Sequence, residues 1–66
     1  MMTVDEVIAR VNEIAACAGD DEAAHGMEDR LRADVLRAIV DGSPRPEALA
    51  AAALQTDIIE FARWCA

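Results

Sequence analysis

The sequence contains no lysine, and Phe61 and Trp64 are its only aromatic residues. Six arginines stand against thirteen acidic residues, which gives a formal net charge of −7. Proteins that bind nucleic acid or anionic membranes rely on Lys and Arg to meet the phosphates, so this balance argues against both classes. The longest apolar runs are also too short to cross a bilayer. We therefore predict no direct nucleic-acid binding and no membrane association.

A targeting segment is missing from the start of the sequence as well. The chain begins MMTVDEV, without the basic stretch and apolar run of a signal peptide, and we expect a cytoplasmic protein. Its two cysteines, Cys17 and Cys65, are too far apart for a CxxC motif and are expected to be reduced thiols in that compartment. Whether they ever pair is left open.

Patterns that carry catalysis or bind metal are also scarce. The single histidine, His25, follows Glu22 at the three-residue spacing used in di-iron bundles, but such sites need carboxylates from several helices. A solvated, acidic helix start is the simpler interpretation. No nucleophile–base pair and no glycine-rich phosphate loop is present. We therefore predict that the chain is not an enzyme and has no catalytic residue, cofactor or metal.

Apolar residues that recur at helical spacing predict a single all-α domain over residues 1–66, folded as a small three-helix bundle. The first helix is expected over about residues 3–18, where Thr3 and Glu6 have the spacing of a capping box. The second is expected over about residues 20–41, with Asp20 or Asp21 as its cap and Gly42 as its end.

The third helix is expected over about residues 44–65, after the connector GSPRPE, because Pro46 suits a first helical turn. Its later part is irregular. Leu54, Ile58 and Phe61 form one stripe, but Ile59 and Trp64 do not fit it. We therefore expect a kink or break near Gln55–Asp57, followed by a short final helix.

A chain this short builds only a marginal core, and a second copy often supplies the missing apolar contact. The apolar arc of the second helix is wider than one packing interface needs, because Leu36 and Val40 extend it. We therefore predict a homo-oligomer with these two residues at the subunit contact.

The closing stretch EFARWCA contains both aromatic residues. Phe61 is predicted to be buried against Val7 and Val11 of the first helix. Trp64 is expected either to plug the core or to act as a binding hook, with docking on the bundle or a second subunit favoured. The candidate interaction residues are thus Leu36, Val40, Ile59 and Trp64.

The second half of the chain carries a pattern of VLRAI, a Gly-Pro linker, an LA…AL.T helix and a closing EF.RW.A. It resembles a group of small proteins encoded by actinobacteriophages and related bacteria, although Ala62 and Cys65 stand where members often have proline and tyrosine. The matching elements are Val35–Ile39, Gly42–Pro46, Leu49–Thr56 and Glu60–Ala66. The resemblance implies a phage source, hence a host cytoplasm, and implies no catalytic residue.

Taken together, these features predict a small acidic helical module that binds another protein, such as a phage accessory protein that modifies a host factor. The alternative is an acidic mimic of nucleic acid that inhibits a host nucleic-acid-binding enzyme. Such a mimic needs carboxylates over one continuous face, whereas Arg30, Arg32 and Arg37 interrupt them on the second helix. Salt dependence of binding separates the two, because salt screens exposed charges.

Overall fold

A computed structural model describes residues 2–63 of the chain. Three α-helices form a bundle: α1 spans Val4–Ala16, α2 spans Asp21–Val40 and α3 spans Pro46–Ala53. A short 3₁₀ helix, Leu54–Ile58, follows α3 directly. Throughout this described part the regular structure is helical, with no strand. The predicted fold class, a small all-α bundle with a broken third helix, is confirmed.

Side chains cap the first two helices as their sequence predicts. The Thr3 N–H donates to Glu6 Oε1 and the Glu6 N–H donates to Thr3 Oγ1, both at 3.2 Å, which completes the capping box. At the start of α2, Asp20 Oδ1 accepts from the Ala23 N–H at 3.1 Å. These bonds satisfy backbone donors that a helix start leaves without partners, so local sequence determines where α1 and α2 begin.

The end of α2 depends on Gly42, which has a φ of +91°. Its N–H donates to the Ile39 carbonyl at 3.1 Å, and the Ser43 N–H donates to the Ala38 carbonyl at 3.0 Å. These bonds satisfy the last carbonyls of the helix and turn the chain back. Pro46 then occupies the first turn of α3, where its missing N–H is not needed.

The third helix breaks slightly earlier than expected, and it does not resume. The α-helix stops at Ala53, two residues before the predicted region Gln55–Asp57, and the 3₁₀ helix ends at Ile58. Ile59 is extended and residues 60–63 are not helical, so the prediction of helix continuing toward residue 65 is wrong over these residues. The Thr56 hydroxyl, which donates to the Ala53 carbonyl at 3.2 Å, offers the backbone a partner other than the next helical turn.

The core lies where α1, α2 and α3 meet. Its buried apolar residues are Val7, Val11, Ile14, Ala24, Leu31, Val35, Leu49, Ala52 and Ala53. Phe61 packs against this core but is only partly buried, so the prediction of a buried Phe61 is wrong in degree. The guanidinium of Arg63 lies 3.9 Å from the centre of its ring and shields it instead. Trp64, the predicted companion of Phe61, is outside the described residues.

Among residues 2–63, none of the helices has both the length and the apolar character that crossing a membrane requires.

Gly26, inside α2, and Gly42, just after it, provide a matched test of where α2 ends. Gly42→Ala is expected to lower the free energy of unfolding by about 1 kcal/mol, because an L-residue is strained at its positive φ. Gly26→Ala is expected to raise it by up to about 1 kcal/mol, because Gly26 lies inside α2 and a Cβ there meets no atom within 4 Å. Chemical denaturation of both variants measures these changes. Equal signs would contradict the assigned helix end.

Candidate functional site

The large apolar side chains that remain exposed are not scattered over the bundle. Among residues 2–63 they are Ile8, Leu36, Val40, Leu54 and Ile58. Ile8 and Ile58 lie on one side of α3, and Leu36 and Leu54 lie on the other, with Val40 one helical turn after Leu36. α3 therefore has an apolar surface on each flank.

The first surface, which we call the α2–α3 patch, consists of Leu36, Ile39, Val40, Ala50 and Leu54. Leu36 is 63% exposed, Val40 is 84% exposed and Leu54 is 57% exposed. Between the two helices the surface dips into a shallow depression of about 240 Å³. The exposure of Leu36 and Val40 follows from the wide apolar arc of α2, since one packing interface cannot cover it.

The second surface, the α1–α3 groove, has a volume of about 660 Å³. Four of its eleven lining residues are alanines, which leave the space between α1 and α3 unfilled. The lining residues are Val4, Ile8, Val11, Asn12, Ala15, Ala48, Ala51, Ala52, Gln55, Ile58 and Ile59. Asn12 and Gln55 are the polar members, and none of these side chains is ionisable.

The predicted interaction residues do not form one site. Leu36 and Val40 belong to the α2–α3 patch, whereas Ile59 lines the α1–α3 groove and is partly buried. Trp64 lies outside the described residues, so the choice between plug and hook stays a prediction. The sequence pattern therefore identified residues from both surfaces without separating them.

The polar centre of the molecule is an ion pair between Glu28 and Arg63. The Glu28 side chain is only 2% exposed. Arg63 donates to both carboxylate oxygens, from Nε to Oε1 at 2.9 Å and from Nη2 to Oε2 at 3.0 Å. The same Nη2 donates to the carbonyls of Thr56 and Ile59, at 2.9 and 3.0 Å. One side chain thus connects the segment after the 3₁₀ helix to the middle of α2.

Arg32 extends this pair into a network. Its Nη2 lies 3.8 Å from Glu28 Oε2 and donates to the buried Thr56 hydroxyl at 3.1 Å and to Asp57 Oδ1 at 2.6 Å. The 3₁₀ helix is therefore connected to α2 by two arginines that share one carboxylate. Removing one partner from such a buried group costs more than the pair contributes net, because the remaining charge has lost its compensation.

The environment of Glu28 contains opposing effects on its pKa. Burial by itself raises the pKa of this carboxyl. The hydrogen bonds from Arg63, the neighbouring Thr56 hydroxyl, and the positive charges of Arg32 and Arg63 outweigh burial and hold the pKa below its usual range. The carboxylate in turn raises the pKa of the Arg63 guanidinium. Glu28 therefore remains ionised inside the bundle at neutral pH.

The pair of Glu28 and Arg63 was not among the residues that the sequence singled out. A signal was present, since Glu28 lies four residues after Ala24 and three before Leu31, on the buried stripe of α2. Its partner is 35 residues away, beyond the reach of helical spacing. On the surface of α2, Asp34 pairs with Arg37 at 3.1 Å and also accepts from Arg10 of α1 at 2.9 Å.

The residues considered for metal or thiol chemistry lie apart. Glu22 is exposed, and the His25 Nε2 lies 3.5 Å from Asp29 Oδ1 one turn further along α2. Within residues 2–63, no three His, Cys, Asp or Glu side chains form a group that could hold a metal ion. Cys17 is partly buried at the end of α1, and Cys65 is outside the described residues.

Known proteins give no guide to what either apolar surface binds. No family model, no curated protein and no solved structure matches the chain.

The Glu28 carboxylate makes a testable contribution to the pH dependence of stability. Its folded pKa is below the ordinary value of 4.5 for this carboxyl. Its stabilising contribution is therefore fully present above that pH and is lost as pH falls through the folded pKa. Glu28→Gln is expected to lower the free energy of unfolding by about 2 kcal/mol at neutral pH, because the charge-assisted bonds to Arg63 are weakened. The difference from wild type should shrink in acid.

Denaturation at a series of pH values measures this difference. Glu22→Gln is the matched control, because it makes the same chemical change on an exposed position of the same helix. A Glu28→Gln variant that unfolds with the stability and pH profile of Glu22→Gln would contradict the assigned role of the buried pair.

Proposed function

We propose that the chain is a protein-interaction module, and that its apolar surfaces on either side of α3 are the binding sites. The observation that carries the proposal is that Ile8 and Ile58 line the groove while Leu36 and Leu54 line the patch, with the exposed Val40 one helical turn after Leu36. Contiguous exposed apolar area of this kind is typical of sites that another protein covers, whereas single scattered apolar residues are not. The acidic surface elsewhere favours solubility.

The lining of the α1–α3 groove supports binding rather than catalysis. Its polar members, Asn12 and Gln55, can donate and accept hydrogen bonds but do not titrate near neutral pH. General acid–base or nucleophilic chemistry needs an ionisable or activated group within reach of the reacting atoms. An apolar groove with two amides at its edges suits the apolar face of a helix, which is read through side chains spaced three and four residues apart.

The resemblance to small phage-encoded proteins supports a protein of the host as the partner for this groove. The acidic nucleic-acid mimic remains the alternative prediction. Its charge layout is less favourable, because Arg30 and Arg37 are exposed on α2 among the carboxylates. Binding through apolar surfaces should survive added salt, whereas binding that mimics phosphates should weaken steeply with it.

The test uses the purified chain and a partner isolated with it, titrated against each other at low and high salt. Ile58→Glu is expected to weaken binding at least about tenfold, because a buried carboxylate in the groove would have no partner. Ile58 is 78% exposed in the free chain, so the fold should be retained. Ala9→Glu is the control, since it adds the same charge to an exposed position of α1 that does not line the groove.

An affinity that is unchanged by both Ile58→Glu and Leu36→Glu would contradict the proposed function. So would equal loss in Ala9→Glu, which would mean that added negative charge alone prevents binding. A steep loss of wild-type binding with salt would favour the mimic.

A further inference from the structure

We propose that the α2–α3 patch binds a second copy of this chain, with the two α2 helices antiparallel and related by a twofold axis. This inference rests on the proposed function of the patch and names its occupant. Leu36 of each copy then packs against Val40 of the other. Two pairs of residues at the end of α2, one apolar and one charged, have the same spacing and lie side by side.

The apolar pair is suited to a contact with itself. In a twofold interface, residue i of one copy meets residue j of the other, and j meets i. Leu36 and Val40 are four residues apart and lie on the same face of α2, about 6 Å apart along its axis. A twofold axis at the level of Ala38 therefore places Leu36 of each copy against Val40 of the other. Both are more than half exposed in the single chain, so each has side-chain surface left to cover.

The charged pair makes the same arrangement electrostatically favourable. Arg37 and Asp41 follow Leu36 and Val40 by one residue each, so they form the adjacent flank of α2. An antiparallel pair places the same flank of both helices side by side, which brings Arg37 of each copy beside Asp41 of the other. The apolar pair is centred on Ala38 and the charged pair on Ile39, about 1.5 Å further along the helix axis. A single twofold axis can therefore bring both pairs into contact.

The side chains on this flank are free to reach across. The Arg37 side chain is 74% exposed, and its bond to Asp34 is a surface contact at 3.1 Å on the same helix. Asp41 is exposed at the end of α2. On the other flank, Leu54 lines the same depression as Leu36 and extends the apolar contact onto the start of the 3₁₀ helix. A parallel twofold pair would lack these matches, because it places the Arg37–Asp41 flank of one copy beside the opposite flank of the other.

The experiment mixes two variants that each carry one reversed charge. In R37D alone the two copies would oppose acidic groups, and in D41R alone they would oppose basic groups. Each is expected to dissociate at least about tenfold more readily than wild type, since two reciprocal pairs become repulsive. In an equimolar mixture, R37D and D41R present opposite charges to each other, so association should return as a mixed dimer. Sedimentation at high micromolar concentration measures all four samples.

Three controls separate a lost interface from a lost fold. Thermal unfolding confirms that each variant remains folded. Leu36→Glu should abolish the dimer, and Ile58→Glu, on the other surface, should leave it intact. A wild-type chain that is monomeric at high micromolar concentration, or single variants whose mixture stays dissociated, would overturn the inference. Those results would leave the proposed function standing if a separate partner still binds in a Leu36- or Ile58-dependent way.

Discussion

One buried carboxylate, that of Glu28, constrains the described fold. Glu28 lies at the centre of α2 on the face that packs into the core, and an ionised group in that position is tolerated only when opposite charges and hydrogen-bond donors compensate for the lost hydration. Arg63 supplies most of that compensation, and the same guanidinium binds the carbonyls at the end of the 3₁₀ helix. The path of the chain after Ile58 therefore follows a charge on α2 as well as the packing of Ile59 and Phe61 against the core.

The small core explains why so much apolar surface is left exposed. Three of its nine buried apolar members are alanines, Ala24, Ala52 and Ala53, which bring the helices together but bury little area themselves. Larger side chains beside α3, such as Ile8 and Leu36, remain exposed because the alanines of α3 are too small to cover them. The α2–α3 patch and the α1–α3 groove are thus direct consequences of an alanine-rich third helix. The small alanine side chains limit the stability of the single chain, and they also leave apolar surfaces that suit binding.

Features that depend on contacts between residues close together in the chain could be predicted from the sequence, and features that depend on distant contacts could not. The capping box of Thr3 and Glu6, the cap at Asp20 and the end at Gly42 involve contacts within a few residues, and each was predictable from spacing. The break in the third helix was predicted, but its failure to resume after Ile58 was not, because the tail is bound by Arg63, whose partner Glu28 is 35 residues away. Phe61 lies on the apolar stripe of a continuous helix, yet it is only partly buried because that helix ends before it. The exposed residues of the two surfaces could be selected from helical periodicity, but their division between opposite flanks of α3 required the tertiary structure.

The pairing of Glu28 with Arg63 also constrains how the sequence can change over evolutionary time. Loss of the arginine leaves a charge in the core, and loss of the glutamate leaves the tail without its anchor, so either change alone is unfavourable. Replacing both with apolar residues of similar volume avoids both penalties. The two positions should therefore covary in related chains, with an acid and an arginine retained together or replaced together. Relatives in which both are apolar would keep the bundle but would lack this ion pair as a constraint on the segment after Ile58.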